Sequence, residues 1–326
     1  MSYKIYELKL KPTSSWITDL TADTIFGHLC WQIKYKFSDE VLEKFLKEME
    51  QKPIFTISDV LPANRLPRPL TEYDSQNVDV WNDTDNWLYL KYKKKYNKEI
   101  VYIPEDELDK FSNYEPEKIK NIINNKDFEN ENNKKWTYFS EKIENKNIVN
   151  RLAWTTLENG IYSQWVNEFN ENSRNKVVRI LFKTSKQLDN YKILDEELNF
   201  FELLKNVFEI WYWKKKSSWK WQFKVWKWKE KNLGKENWNN ILLLSSFIPS
   251  TDDPTDWNYK IFTKFPKLWE EFSLEWQNFY KKPLVMIQTG ATFKNNNKWY
   301  VGKMIKDVDF IDKWIYHYAY GFTIEF

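Results

Sequence analysis

The residue types best suited to chemistry gather in one segment, Trp211-Tyr212-Trp213-Lys214-Lys215-Lys216-Ser217-Ser218-Trp219-Lys220-Trp221. Four lysines in so short a run neutralise phosphates, and the hydroxyls of Ser217 and Ser218 bond phosphate oxygens. The four indoles offer faces on which bases stack. The pattern points to RNA or DNA contact, or to a solvated basic loop. Asn150-Arg151 with Thr155-Thr156 forms a second group. Those side chains suit a sugar–phosphate backbone, or an ordinary polar hairpin. Arg65 and Arg68 lie among Pro62, Pro67 and Pro69, a rigid basic segment that suits either RNA or a docked protein.

Signals for catalysis are weak. The chain has no phosphate-binding Walker loop, no H-E-x-x-H and no G-x-S-x-G. Its two histidines are His28, inside an apolar helical stretch, and His317, between Tyr316 and Tyr318. His28 reads as packing or capping. A lone histidine can act as general base for RNA cleavage through the 2′-OH, but no second acid or base accompanies His317. Asp252-Asp253 precedes Pro254 and reads as a turn rather than a metal pair. The single cysteine excludes an intramolecular disulfide and a Cys-based zinc site. Cys30 reads as a small core hydrophobe. The expectation is a chain with no catalytic residue, no metal and no cofactor.

One feature of the composition is abnormal: 19 Trp against 6 Gly, where ordinary usage gives roughly 23 glycines for this length. Several tryptophans sit among turn formers, as in Trp81-Asn82-Asp83, Asp85-Asn86-Trp87, Asn237-Trp238-Asn239 and Asp256-Trp257-Asn258. One reading is that many of them are UGA codons decoded as glycine in the source. The other is a Trp-rich protein that stacks sugars or bases. Glycine at 211, 213, 219 and 221 would let the backbone adopt φ > 0 and approach a nucleic acid closely. Peptide masses of the native protein decide between them.

These residues need elements to hold them. The 326 residues carry 42 % hydrophobic and 30 % charged side chains, enough for a core, and the length suits one large or two medium domains. No apolar run is long enough for a helical membrane span, and Met1–Tyr6 lacks a signal pattern. These features predict a soluble, cytoplasmic chain. Alternation predicts a strand over 3–10 with Tyr6, Leu8 and Leu10 on one face. A helix follows from about Asp23. Ser38 caps a second, with Val41, Leu42, Phe45, Leu46 and Met49 as its apolar stripe. Strands are predicted over 54–58 and 177–182, a hairpin over 148–165 turning at Glu158-Asn159-Gly160, and a deeply packed helix over 198–210. Short strands are expected near 222–228, 241–248, 259–263, 284–289, 299–305 and 316–326. The Lys/Asn-rich stretch from about 91 to 147 reads as an insertion. The mixture lacks a βαβ rhythm and predicts an α+β fold. The domains are placed at 1–147 and 148–326.

The opening strand, Ser14-Ser15-Trp16, and the run Thr21-Ala22-Asp23-Thr24-Ile25-Phe26-Gly27-His28-Leu29-Cys30-Trp31 resemble the start of a RAMP-superfamily subunit of type III-A CRISPR–Cas complexes. Ser58-Asp59 with Leu66-Pro67-Arg68-Pro69-Leu70, Asn150-Arg151 with Thr155, and the closing Tyr320-Gly321-Phe322-Thr323-Ile324 resemble the Cas5-like subunit that caps the crRNA 5′ end, the fourth of the Csm complex. The 211–221 loop resembles that family's glycine-rich loop if its four tryptophans are glycines.

The resemblance implies two tandem ferredoxin-like (RRM-like) RAMP domains with a glycine-rich-type loop and a thumb hairpin. It implies a non-catalytic subunit that binds the 5′ handle of the crRNA. Its partners would be the large polymerase-like CRISPR subunit and the backbone RAMP subunit, with target RNA met indirectly and no membrane. RNA contacts would come from Ser15, Asp23, Thr24, Gly27, Asn150, Arg151, Thr155, Thr156 and the loop Trp211, Trp213, Lys214, Lys215, Lys216, Ser217, Ser218, Trp219, Lys220 and Trp221. Arg65 and Arg68 would meet a partner or the RNA. A net charge of +3 is low for a stand-alone RNA binder and suits a subunit that shares its RNA. The rivals are a RAMP endoribonuclease cutting precursor crRNA with His28 or His317 as base, and a Trp-rich carbohydrate-binding module.

Overall fold

The computed structural model describes residues 3–15, 20–70, 101–108, 139–150, 155–169, 177–211, 223–234, 239–254, 258–267, 280–308 and 315–326. Strand β1 is Lys4–Pro12, helix α1 Ala22–Lys36 and helix α2 Asp39–Gln51. Ser38 caps α2 as expected: its Oγ accepts from Val41 N at 3.2 Å, and Asp39 and Glu40 occupy the first turn, where the helix dipole favours acids. Val41, Phe45 and Met49 are buried, with Leu42 and Leu46 packed beside them. Strands β2 (Phe55–Ile57), β3 (Leu61–Pro62), β4 (Arg65–Pro67) and β5 (Tyr102–Pro104) follow. Then come β6 (Phe139–Asn150), β7 (Thr155–Phe169), β8 (Val178–Thr184), β9 (Tyr191–Ile193) and β10 (Glu196–Leu198). Helix α3 (Phe200–Asn206) runs into a π-helical turn, Val207–Trp211. Phe200, Leu203, Leu204, Val207 and Phe208 there are fully packed, as the nearly all-apolar sequence demands.

The remaining elements are strands: β11 (Phe223–Val225), β12 (Lys229–Glu230), β13 (Asn240–Leu243), β14 (Ile261–Lys264), β15 (Leu284–Ile287), β16 (Thr292–Lys294), β17 (Val301–Ile305), β18 (His317–Gly321) and β19 (Thr323–Glu325). The chain is thus a mixed α/β protein, mostly sheet with few helices among the described residues.

The largest sheet is antiparallel, in the order β11-β1-β8-β2, with β12 also on β1 and β3 also on β8. Helices α1 and α2 lie in the connection from β1 to β2, and α3 in that from β8 to β11. Both β8 and β11 follow residue 148, yet both pair with β1. The sheet therefore takes strands from either side of the expected division at 147/148.

Period-two alternation explains how this sheet buries both faces. Leu8, Leu10, Val178, Ile180 and Phe182 face the helices and join Ile25, Leu29, Phe45 and Leu203 in one core. Leu181 and Ile5 face the other way, onto Leu242, Leu244, Phe322 and Ile324 of the C-terminal strands. The far side of β13 packs Ile241 and Leu243 against Phe247, Phe293 and Val301. Strand β18 returns to the helices: Ile57 N donates to Tyr318 Oη at 2.9 Å, and Tyr320 Oη donates to the Met49 carbonyl at 2.7 Å.

The hairpin differs from expectation. Among the described residues strands β6 and β7 pair only with each other, and Asn150 pairs with Thr155, so Glu158-Asn159-Gly160 lies within β7 and is not the turn. Asn147 pairs with Ile161 and Val149 with Thr156, so the residues between 156 and 161 bulge out of β7. The Asn-Gly signal was real but marks a bulge, the other habitual use of glycine within a strand. The strands are longer than predicted, about 40 Å at some 3.3 Å per residue.

Candidate nucleic-acid interface

The two motifs read at the N-terminal end meet in space. Helix α1 starts with an N-cap, Thr21, whose side chain bonds none of the helix N–H groups. Asp59 supplies the cap instead: its Oδ1 accepts from Ala22 N at 2.8 Å, and its Oδ2 accepts from Thr289 Oγ1 at 2.6 Å. Ser58 fixes Asp59 in place by bonding across to β8, where Leu181 N donates to Ser58 Oγ at 2.9 Å. Burial pushes the Asp59 carboxyl up to about 6, with the Thr289 and Ala22 bonds opposing.

Asp23 is buried beside it. Lys264 Nζ donates to Asp23 Oδ1 at 2.7 Å and to Thr21 Oγ1 at 3.1 Å. Burial pushes the Asp23 carboxyl up, but Lys264 and His317 more than offset this and hold it below its usual value. Asp23 is therefore spent inside the protein, locking α1 onto β14. Thr24 and Gly27 lie on the same helix. A Cβ added at Gly27 would meet nothing within 4 Å. No internal packing demands glycine there, although a mid-helix glycine costs about 1 kcal/mol against alanine.

Ser15 and the end of β1 lie elsewhere on the large sheet. Pro12, at the end of β1, pairs with Phe223, the first residue of β11. In sequence the basic segment runs between the π-helical turn that ends at Trp211 and that residue, which is buried. Three residues past Pro12, Ser15 Oγ donates to Glu144 Oε1 of β6 at 3.4 Å. The Pro12 end of β1 thus lies next in sequence to Ser15 and, through it, against the middle of the long hairpin, whereas the start of α1 is capped by Asp59 opposite the middle of β1. Asn150, Thr155 and Thr156 stand at the far tip of that hairpin. Arg151, Trp213, Lys214, Lys215, Lys216, Ser217, Ser218, Trp219, Lys220 and Trp221 lie outside the described residues.

Arg65 and Arg68 separate. Arg68 is buried, its N–H donating to the Val101 carbonyl at 3.0 Å. The Leu66-Pro67-Arg68-Pro69-Leu70 segment docks on the turn at Gly290: Leu70 N donates to the Gly290 carbonyl at 2.8 Å. Gly290 has φ +92°, and a Cβ there would sit 2.9 Å from the Arg68 carbonyl oxygen, so only glycine allows this approach. Arg65 is partly exposed, and its carbonyl accepts from buried Arg179 Nη2 at 2.5 Å.

Both histidines are buried, His28 8 % exposed and His317 3 %. Burial pulls each imidazole down to about 4. The His317 Nε2 has no hydrogen bond and lies 4.0 Å from Asp23 Oδ2. Neither ring reaches the surface where a 2′-OH would lie. Asp253 closes a turn, its Oδ2 accepting from Ser250 N and Gly302 N at 2.8 and 2.7 Å. Burial pushes the Cys30 thiol up to about 12. Among the described residues no group of three or more His, Cys, Asp or Glu forms a metal site, and no helix is long and apolar enough to cross a membrane.

The described tryptophans do not need glycine's conformations. None of Trp31, Trp165, Trp211, Trp226, Trp228 and Trp299 has a positive φ. Trp228 is a working core residue, its ring 5.5 Å from those of Tyr6 and Phe201 and 6.0 Å from that of Phe182.

Sequence reasoning missed the ion pairs. Lys264 lies 241 residues from Asp23, and no local pattern links them. It also missed a network on the second face of the sheet, where Arg179 Nη1 contacts Glu7 Oε1 at 3.2 Å and Glu105, and Lys231 meets Glu105 at 2.7 Å.

No protein-family model matches the sequence, and no curated protein matches it. Solved structures do. The Csm3-Csm4 subcomplex of the type III-A CRISPR-Cas interference complex matches with a TM-score of 0.59 at 16 % identity, over 98 % of this chain and 99 % of that one. The Csm1-Csm4 cassette in complex with pppApA matches with a TM-score of 0.55 at 15 % identity, over 98 % and 97 %. The cassette in complex with AMPPNP gives 0.54 at 15 %, over 99 % and 97 %. Over nearly its whole length, then, this chain has a fold similar to that of Csm4 in the Csm1-Csm4 cassette and the Csm3-Csm4 subcomplex.

Proposed function

We propose that this chain is the non-catalytic, crRNA-binding subunit of a cytoplasmic type III-A interference complex. It grips the repeat-derived 5′ handle and bridges the large polymerase-like subunit to the backbone RAMP subunits. The observation that carries this reading is at the Pro12 end of β1: Pro12 pairs with Phe223, the residue to which the lysine-rich segment leads, and Ser15, three residues on, touches Glu144 in the middle of a hairpin about 40 Å long. The fold likeness supports it, since the similar structures come from assemblies with Csm1 and with Csm3. The strand order β11-β1-β8-β2 with helices in both crossovers supports a ferredoxin-like first domain, and β13 to β19 would form the second. The β6–β7 hairpin is the thumb, with Arg151, which follows β6 in the sequence, as the cationic anchor. Lys214, Lys215, Lys216 and Lys220 neutralise handle phosphates. Gly27 leaves the α1 backbone bare for the approaching RNA. The burial of both histidines disfavours the endoribonuclease reading.

The test is a native capture of the tagged chain with its neighbouring genes expressed, followed by sequencing of the bound RNA. Short RNAs with one repeat-derived 5′ end, in company with a large polymerase-like subunit, are expected. Glutamate at the four loop lysines should remove the guide and leave folding intact. Unchanged guide content would refute the loop's role.

A further inference from the structure

The face of the large sheet that turns toward the C-terminal strands is covered at one end of β1 and bare at the other. Ile5 and Glu7 are buried, whereas the Lys9 side chain is 44 % exposed and Lys11 stands in solvent. The neighbouring edge strand adds residues to the bare end. Lys11 pairs with Lys224 of β11, so both side chains leave the sheet on the same face. Trp226 follows Val225, the partner of Leu10, and its N–H donates to the Lys9 carbonyl at 3.1 Å, which sets it opposite Lys9. Leu10, Phe223 and Val225 alternate with these residues and pack toward the helices. Because Lys229 pairs with Glu7, two residues, Lys227 and Trp228, stand where β1 has Leu8 alone. That bulge sends the Trp228 ring into the core and leaves Trp226 39 % exposed.

Like charges set directly opposite one another weaken a strand pair, so Lys11 and Lys224 cost stability unless an anion lies between them. Lysines on a sheet edge also keep other strands away, but that use needs neither two of them face to face nor an exposed indole. Residues 8–15 and 223–229 contain five lysines and no aspartate or glutamate. Glu7, the acid next in register, is held by Arg179 and Lys231, with Lys9 at 3.5 Å. Glu144 meets the chain further on, at Ser15. The stretch 212–222, which leads into Phe223, adds four lysines and no acid. A protein contact has an apolar centre and few lysines. Here Leu8, Leu10 and Val225 are turned inward, and one ring stands among cations. That is the arrangement that holds single-stranded nucleic acid, with phosphates on the cations and a base on the ring.

We infer that the Pro12 end of this sheet face is a binding site for single-stranded RNA, in which a phosphate lies between Lys11 and Lys224 and a base stacks on Trp226. This rests on the reading of the chain as an RNA-binding subunit. It carries the RNA from the lysine-rich segment onto the sheet, across residues outside those given RNA contacts above.

The experiment uses the full tagged chain in two settings. Co-expressed with its neighbouring genes, it is captured and its guide RNA and subunits are counted per mole of bait. Purified alone, it is titrated against salt with a labelled oligoadenylate about ten nucleotides long, a length within one ordinary single-strand site. The forms compared are wild type, Lys224→Glu, Trp226→Ala, Trp226→Phe and, as a control for net charge on another sheet, Lys303→Glu. Lys224→Glu should weaken binding at least tenfold and flatten its salt dependence. The same change should raise the melting temperature of the RNA-free chain, because it turns the repulsion from Lys11 into attraction. Trp226→Ala should weaken binding about tenfold with the salt dependence unchanged, and Trp226→Phe should keep most of the affinity. Lys303→Glu should change binding far less. Wild-type affinity in both Lys224→Glu and Trp226→Ala overturns the inference. A lower melting temperature for Lys224→Glu would show the lysine pair satisfied within the protein and overturn it too. Aggregation of Lys224→Glu at unchanged affinity would assign the lysines to edge protection, and loss of a subunit with the guide retained would assign the face to an acidic protein; either overturns it. A glycine mass at position 226 in peptides of the native protein would overturn the stacking. If wild type neither retains a guide nor binds the oligonucleotide, the proposed function fails, and this inference with it. If wild type does both and the variants match it, the sheet site alone fails.

Discussion

The two faces of the six-stranded sheet solve burial in opposite ways. Toward the helices, β1 and β8 present Leu8, Leu10, Ile180 and Phe182, and the interface is hydrocarbon. Toward the C-terminal strands the same two strands present Glu7, Arg179 and Lys183, all nearly or wholly buried, beside Leu181. Burial pushes the Glu7 carboxyl up, but Lys231 and Arg179 outweigh it and hold the group ionised. Among the described residues no carboxylate forms an ion pair with Lys183, although Glu325 acts on it from further away: its Nζ donates to the Thr323 carbonyl at 3.1 Å and lies 4.1 Å from the centre of the Tyr3 ring. The first face supplies stability. The second ties β1 and β8 to Glu105 and Lys231 through ion pairs that are satisfied in one register only, and reaches the C-terminal strands through the Lys183–Thr323 bond.

This contrast is open to attack, starting with the largest effects. Phe182→Ala on the helix face should cost about 3–5 kcal/mol in urea unfolding, by lost transfer energy and a cavity. Arg179→Met should cost about 3 kcal/mol, because it leaves Glu7 and Glu105 buried without their guanidinium. Adding Glu7→Leu should then cost less than the sum of the single changes by about 1 kcal/mol or more. Strict additivity would mean that the network does not act as a unit.

Lys183 predicts a pH dependence. Burial lowers its pKa from 10.5 to about 7, so between pH 7 and 10.5 the unfolded chain binds the extra proton. Stability therefore rises with pH across that window. Lys183→Met should be more stable than wild type at pH 7, with the gap closing toward pH 10. A gap that does not change with pH would remove the buried charge from the comparison. The smallest effect belongs to the helix face. Gly27→Ala should stabilise the isolated chain by about 0.5–1 kcal/mol, since a Cβ there meets nothing, while weakening retention of the guide. A loss of stability would mean that the glycine serves packing instead.

Elements governed by local rules were legible in the sequence. The alternation of β1, the Ser38 cap and the stripe of α2, and the two-faced β8 all fell where residue spacing put them, because each is decided within a few residues. The hairpin turn was misplaced because Asn159-Gly160 has two structural uses, and only the register across 139–169 distinguishes them. The site was half legible. The Asp23 and Ser58-Asp59 motifs were visible as strings, but the sequence did not show that one caps the helix the other begins. Lys264, Thr289 and His317, which complete that cluster, come from the opposite end of the chain. The division at 147/148 followed a change in composition. Strand pairing ignores composition, and β1 takes its partners from residues 178–184 and 223–225.

That last pairing has a consequence for synthesis. Strand β1 leaves the ribosome well before its neighbours, β8 by more than 160 residues and β11 by more than 200. At about 5–20 residues per second, the wait for β11 is roughly 10–40 s. Until β8 emerges, Leu8 and Leu10 lack the strand that flanks them, and α1 has no β14 to hold Asp23 until later still. The sheet cannot be completed vectorially, and during that wait the nascent β1 segment is a natural client for a chaperone.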